Sequence, residues 1–233
     1  MVALGTALAR VNLGFRVVDG VKKLFDEDNA DNNIGAVYDK VTELKSKRAH
    51  LYPSMLFETI DWDDDEYKKS KDAVESSAVQ AIKGLYREDV KKGIVNVLYD
   101  LPGTGKSMAG LSLLDDFYLL PGGRTLQGFM ISTHASSGSY VEILAELLEA
   151  SNTKGWLSAL LLAMNEPHDR LPSLLILDDF SLDTAGENIK FIENLYKLMN
   201  PPKRNKMNII VVVITQRKDA ADALCDLNGG GLL

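Results

Sequence analysis

One cysteine, Cys225, in 233 residues leaves no partner for an intrachain disulfide and points to a reducing compartment. No apolar run approaches the ~18 residues that span a bilayer; the strongest, Ile209 to Ile214, covers six. Positive charge is also scarce. With 26 Lys and Arg against 33 Asp and Glu, the net charge is −7, which disfavours a broad footprint for nucleic acid without excluding a local basic patch. His50, His134 and His168 with one cysteine give no metal-ligand spacing. No secretory signal is evident, so the expectation is an intracellular, cytoplasmic protein without a membrane span. Arg10, Arg16, Lys22 and Lys23 interleave with apolar residues in the first 25 positions, which read either as an amphipathic helix or as an organelle-targeting segment.

What is present is the composition of a globular domain, 45% hydrophobic and 25% charged. Residues 1–92 read as a helical N-terminal region. Val37, Val41 and Leu44 form one apolar stripe and Val74, Ala78, Ile82 and Leu85 a second, separated by a charge run from Asp61 to Ser70 that suits a solvated loop or helix start. From residue 93 to 233 the pattern becomes that of an α/β layered domain. Strands are expected at Ile94–Tyr99, Leu126–Ile131, Leu174–Leu177 and Ile209–Ile214, with helices at Ser107–Tyr118, Tyr140–Ala150, Trp156–Met164 and Gly186–Met199.

The stretch "LYDLPGTGKSM" joins the first of these strands to the first helix, which is the setting of a phosphate-binding loop. The pattern G-x-x-x-x-G-K-[ST] ends correctly at Gly105-Lys106-Ser107, but its opening glycine position holds Asp100. That position ends the strand, so its carboxylate need not face a phosphate. Pro102, Gly103, Thr104, Gly105, Lys106, Ser107 and Met108 are the candidate nucleotide-binding residues. The glycines would let backbone N–H groups turn toward the β-phosphate, Lys106 would reach the β- and γ-phosphates, and Ser107 would coordinate Mg²⁺.

"SLLILDDF" is an apolar strand ending in two acids. Asp178 would hold Mg²⁺, and Asp179 would polarise an attacking water. After the fourth strand, "ITQR" offers Thr215 or Gln216 to orient that water and Arg217 to sense the terminal phosphate. The polar stretch Ser132–Tyr140 lacks a nucleophile-elbow pattern and reads as a loop facing a substrate or partner.

"DLPGTGKS", "LLILDD" and "VVVITQR", in this order, resemble the Walker A, Walker B and sensor 1 elements of the additional-strand P-loop NTPases, especially the AAA+ and STAND ATPases. The likeness covers about Gly93 to Asp219. It implies a three-layer α/β P-loop fold with a mostly parallel sheet in the order 5-1-4-3-2, with ATP and Mg²⁺ as cofactors. It also implies catalytic roles for Asp179, Thr215 and Arg217 and metal binding by Ser107 and Asp178. Asp179 stands where most AAA+ enzymes have glutamate, and "TQR" is similar to the "TTR" of plant-type STAND domains. Only sixteen residues follow Arg217, with no fifth strand or helical lid visible. The strand Ile94–Tyr99 would then be a sheet edge needing cover from the N-terminal helices, a second copy, a protein partner or residues outside this sequence.

A GTPase is disfavoured, because Ser181 stands three residues after Asp178 where glycine is expected, and "NKMN" at Asn205 lacks the final acid. A small-molecule kinase lacks its arginine-rich lid. Two readings remain: a slow ATPase driving conformational change in a partner or oligomer, and a nucleotide-gated assembly module with negligible turnover.

Overall fold

The structure is a computed structural model that describes residues 31–52, 55–58, 95–116, 127–133, 140–150, 155–166, 172–182, 186–201 and 207–227. The basic N-terminal segment, the charge run at 61–70, the stripe from Val74 to Leu85 and most of the Ser132–Tyr140 loop lie outside these residues.

Six strands form one sheet: β1 (His50–Tyr52), β2 (Met55–Glu58), β3 (Val95–Tyr99), β4 (Gly128–Ser132), β5 (Ser173–Asp178) and β6 (Ile209–Thr215). Their order is β2-β1-β4-β5-β6-β3. Five run parallel, and β2 joins the β1 edge antiparallel. The expected α/β class with a mostly parallel sheet is what the described residues form.

Every residue of β4, β5 and β6 is buried, because helices cover both faces. Strand β6 divides its side chains accordingly. Ile210, Val212 and Ile214 pack with Ala109, Leu113 and Leu114 of α2 (Lys106–Asp116). Ile209, Val211 and Val213 lie in the opposite core. That core is covered by α1 (Asp31–Lys47), α3 (Tyr140–Leu147), α4 (Trp156–Asn165), α5 (Glu187–Met199) and α6 (Lys218–Leu227). The result is three layers, with the β-branched runs buried on two sides.

The expectation that residues 1–92 are helical needs correcting in part. Helix α1 fits it, since Ile34, Val37, Val41 and Leu44 recur at helical spacing and are all buried. Strand β1 does not. It pairs with β4, His50 opposite Met130 and Leu51 opposite Ile131, and three residues are too few for a period-two pattern to show in sequence. Helix α6 also has no counterpart among the expected elements, although its buried face, Ala220, Ala221, Leu224 and Cys225, recurs at helical spacing. Among the described residues β3 has one strand neighbour, β6.

A buried cation fastens α1 to the rest. The Lys45 ammonium donates to the carbonyls of Ala163 (2.7 Å) and Glu166 (3.2 Å), at the end of α4 where helix carbonyls lack partners. Tyr38 donates to the Glu166 carboxylate from the same helix. Burial pushes the Lys45 ammonium down to about 8, only partly opposed by the negative charge of Glu166. Between pH 8 and 10.5 the unfolded chain keeps a proton that the folded one releases, so stability rises with pH in that window. Urea unfolding of wild type and Lys45→Met across this range should show the wild type gaining on the variant by up to about 3 kcal/mol.

Candidate functional site

In a parallel sheet all strand C-termini reach one edge, and ligands meet such sheets there. Two of these ends, those of β5 and β6, with the loop after β3, enclose a cleft of about 450 Å³, within the range of small-molecule sites. Register explains the convergence. Tyr99 of β3 lies opposite Thr215 of β6, and Ser132 of β4 opposite Asp178 of β5.

The loop from Asp100 to Gly105 turns through two left-handed glycines, Gly103 (φ 79°) and Gly105 (φ 84°), and delivers Lys106 as the first residue of α2. A side chain at either glycine would be strained. Gly103, Gly105, Lys106, Ser107 and Met108 all line the cleft. Pro102 and Thr104 do not; both are exposed on the loop, and the Thr104 hydroxyl donates to the Leu101 carbonyl at 2.9 Å. Lys106 folds over the same loop, donating to the Leu101 carbonyl (2.5 Å) and the Thr104 hydroxyl (3.3 Å). Asp100 stays outside the cleft, its carboxylate accepting the Leu101 N–H at 2.7 Å. The N–H groups of the first turn of α2 have no partner within the helix and carry its positive end.

Across the cleft, Asp178 is 2% exposed. Burial raises its carboxyl above the usual carboxylate range, while hydroxyl bonds from Ser107 and Ser132 favour the charged form. The Ser132 hydroxyl reaches Asp178 Oδ2 at 2.9 Å, and His50 Nε2 lies 2.8 Å behind Ser132 Oγ. Two oxygen donors, the Ser107 hydroxyl and the Asp178 carboxylate, thus meet beside the glycine loop. No group of three or more His, Cys, Asp or Glu converges among the described residues. A sparse oxygen set of this kind fits Mg²⁺, which keeps several waters and shares substrate phosphates, better than a metal needing an all-protein cage.

The residues after Asp178 are clamped one by one. Tyr140 donates to the Asp178 carbonyl, Thr133 to that of Asp179 (3.2 Å), Thr215 to that of Phe180 (2.7 Å) and Asn188 to that of Ser181 (2.8 Å). The Phe180 N–H closes the turn on the Ile214 carbonyl at 2.9 Å. This cage holds Asp179 in the left-handed region, φ 57°, at the cleft wall.

Two expected catalytic residues are placed otherwise. Thr215 lines the cleft, but its hydroxyl donates to Phe180 and accepts the Arg217 N–H at 3.1 Å, so it is committed to the turn. Its neighbour Gln216 reaches Asp179 Oδ1 at 3.5 Å from the exposed side. Arg217 does not line the cleft; its guanidinium pairs with Asp219 at 3.1 and 3.3 Å, because an acid two residues on offers a local bidentate partner. Asn188 is not singled out by the sequence, His50 enters there only as a histidine without metal-ligand spacing, and Ser132 and Tyr140 enter as the ends of a polar loop. Ser132 directly after the expected strand Leu126–Ile131 is the available signal, but its pairing with Asp178 requires knowing that the two strands are adjacent.

Compared with family models and with curated proteins, the sequence matches none. The residues and their geometry carry the functional reading.

The burial of Asp178 makes a direct prediction. Without metal its charge is a cost to the fold, so Asp178→Asn should melt higher than wild type in EDTA, by about 2–4 °C for roughly 1 kcal/mol. If the cleft takes Mg²⁺ with ATP, as the sequence leads one to expect, the two together should raise the melting temperature of the wild type and leave that of the variant almost unchanged. Differential scanning calorimetry in both conditions checks this.

Proposed function

We propose that the chain is an ATP-binding P-loop protein and a slow Mg²⁺-dependent ATPase that couples nucleotide state to conformational change in a partner or oligomer. The observation that carries this reading is the meeting of the Ser107 hydroxyl and the Asp178 carboxylate in one cleft with the left-handed glycine loop and Lys106. The strand order β4-β5-β6-β3 supports it, since one strand separates the strand before the loop from the strand ending in Asp178, as in the additional-strand division.

On this reading, N–H groups at Gly103 to Ser107 hold the phosphates and Lys106 neutralises the β/γ charge by leaving its contact with the Leu101 carbonyl. Ser107 and Asp178 would hold Mg²⁺, which supplies charge neutralisation at the phosphates when bound. Asp179 orients and polarises the attacking water, with Gln216 rather than Thr215 beside it. ATP over GTP rests on the resemblance and on the missing guanine signals.

The alternative, a nucleotide-gated assembly module with negligible hydrolysis, is favoured by two features: Asp179 is a short acid on a clamped turn, and Arg217 is held by Asp219 away from the cleft. In either case the β3 edge is the proposed contact for a second copy or protein partner.

Calorimetric titration with ATP and GTP in Mg²⁺, with phosphate release followed in the same samples, tests the reading. Wild type should bind ATP in preference to GTP, and Lys106→Ala should bind about ten- to a hundredfold more weakly, the loss of charge-assisted hydrogen bonds worth about 1.5–3 kcal/mol. Measurable turnover selects the ATPase and its absence the assembly module. No binding by the wild type overturns both.

A further inference from the structure

The proposed site leaves two members of a buried polar chain, His50 and Ser132, without a task. His50 on β1, Ser132 at the end of β4 and Asp178 at the end of β5 are 3%, 0% and 2% exposed, and they form a continuous line of hydrogen bonds across three adjacent strands. A serine hydroxyl has one proton to give. With that proton directed at the carboxylate, the 2.8 Å contact to His50 requires the imidazole to carry its own proton on Nε2 and donate it to Ser132 Oγ.

The chain therefore runs in one direction, from ring N–H to hydroxyl to carboxylate. The pairing of β1 with β4 places His50 in the sheet, opposite Met130. Its ring holds the Ser132 hydroxyl in one rotamer, and that hydroxyl occupies Oδ2 of Asp178. The carboxylate is left in one orientation, with its remaining lone pairs available toward Ser107 and the cleft. Outer partners of this kind orient metal-binding carboxylates.

We propose that His50, acting through Ser132, is a positioning residue that sets Asp178 for a divalent cation, which makes the N-terminal strand β1 a working part of the nucleotide site. The proposal rests on the reading of Asp178 as a cation ligand given above. It adds a residue that lies 82 positions before Ser132 and outside the motif-bearing part of the chain.

The test compares His50→Leu, which removes the donor at similar volume, His50→Gln, which keeps an N–H donor at comparable reach, and Ser132→Ala, which cuts the chain at its middle. Three quantities are measured: the Mg²⁺ concentration giving half-maximal ATP binding, ATP affinity in EDTA, and melting temperature without ligand. His50→Leu and Ser132→Ala should each raise the Mg²⁺ requirement by about tenfold, in the range for outer partners of metal ligands. ATP affinity in EDTA should stay at the wild-type value, and His50→Gln should restore the Mg²⁺ dependence.

An unchanged Mg²⁺ dependence in a folded His50→Leu overturns the proposal. So does an equal fall of ATP affinity with and without Mg²⁺ that tracks a lower melting temperature, or failure of both His50→Leu and Ser132→Ala to fold, since each marks a purely structural role. Wild type that binds no ATP in either condition overturns the functional reading and this inference with it. Wild type that binds ATP in a Mg²⁺-dependent way beside an unaffected His50→Leu overturns the inference alone.

Discussion

A carboxylate buried at the end of a central strand is the constraint around which this site is built. Removing Asp178 from water is costly unless its oxygens are given donors. Both hydroxyl donors come from earlier in the chain: Ser107 from the first turn of α2 and Ser132 from the end of β4. For both to arrive, β4 must lie beside β5 with Ser132 level with Asp178, and the loop after β3 must deliver α2 over the same edge. The parallel order of the sheet is therefore coupled to the electrostatics of one residue. A carboxylate satisfied by two hydroxyls and the Asp179 backbone N–H is also poised to accept a cation, because neutral donors offset less of the desolvation cost than a full positive charge does.

The turn that follows turns this static requirement into a mechanical one. Four successive carbonyls, from Asp178 to Ser181, are held by side chains of α3, the β4 end, β6 and α5. The Tyr140 ring also packs on Phe180, centroids 5.3 Å apart, and Asn188 binds the Tyr140 N–H at 2.7 Å, so the clamps are tied to one another. A non-glycine residue persists in the left-handed region when its surroundings over-determine it, and Asp179 meets that description. On the proposed reading, a change at the cleft that shifts Asp179 must also shift α3 and α5, which hold it and form part of the helical layer on one face of the sheet. This arrangement suits a protein whose output is a conformation.

Much of this was legible in the sequence where the signal was local. The run Ile209–Ile214 reads as a doubly covered strand because β-branched residues occupy both faces, and the glycine loop is recognisable because only certain residues at certain spacings make that turn. Strand ends carrying Asp178 and Thr215 could be placed at one edge for the same reason. What was not legible depends on distance along the chain. His50 reads as an isolated polar residue, and nothing nearby says that it lies behind Ser132. Thr215 looks like a sensor until the carbonyl it serves, 35 residues earlier, is known. Arg217 is the opposite case, since its partner Asp219 is local and plainly visible.

That pairing bears on which of the two functional readings prevails. The Arg217–Asp219 pair is solvent-exposed on both sides, so water and salt screen it heavily and it holds the guanidinium only weakly. A terminal phosphate inside the cleft would present more charge in a less screened place, with a bidentate geometry that a guanidinium matches well. The backbone N–H of Arg217 is anchored to Thr215, which fixes the root of the side chain beside the cleft while leaving its end free to choose between partners. On the proposed reading the exposed pair is a resting position, and nucleotide arrival would draw Arg217 across and release Asp219 at the start of α6. Helix α6 packs on β3 and β6, so its first turn is the element through which such a change would reach the strand at the sheet's edge.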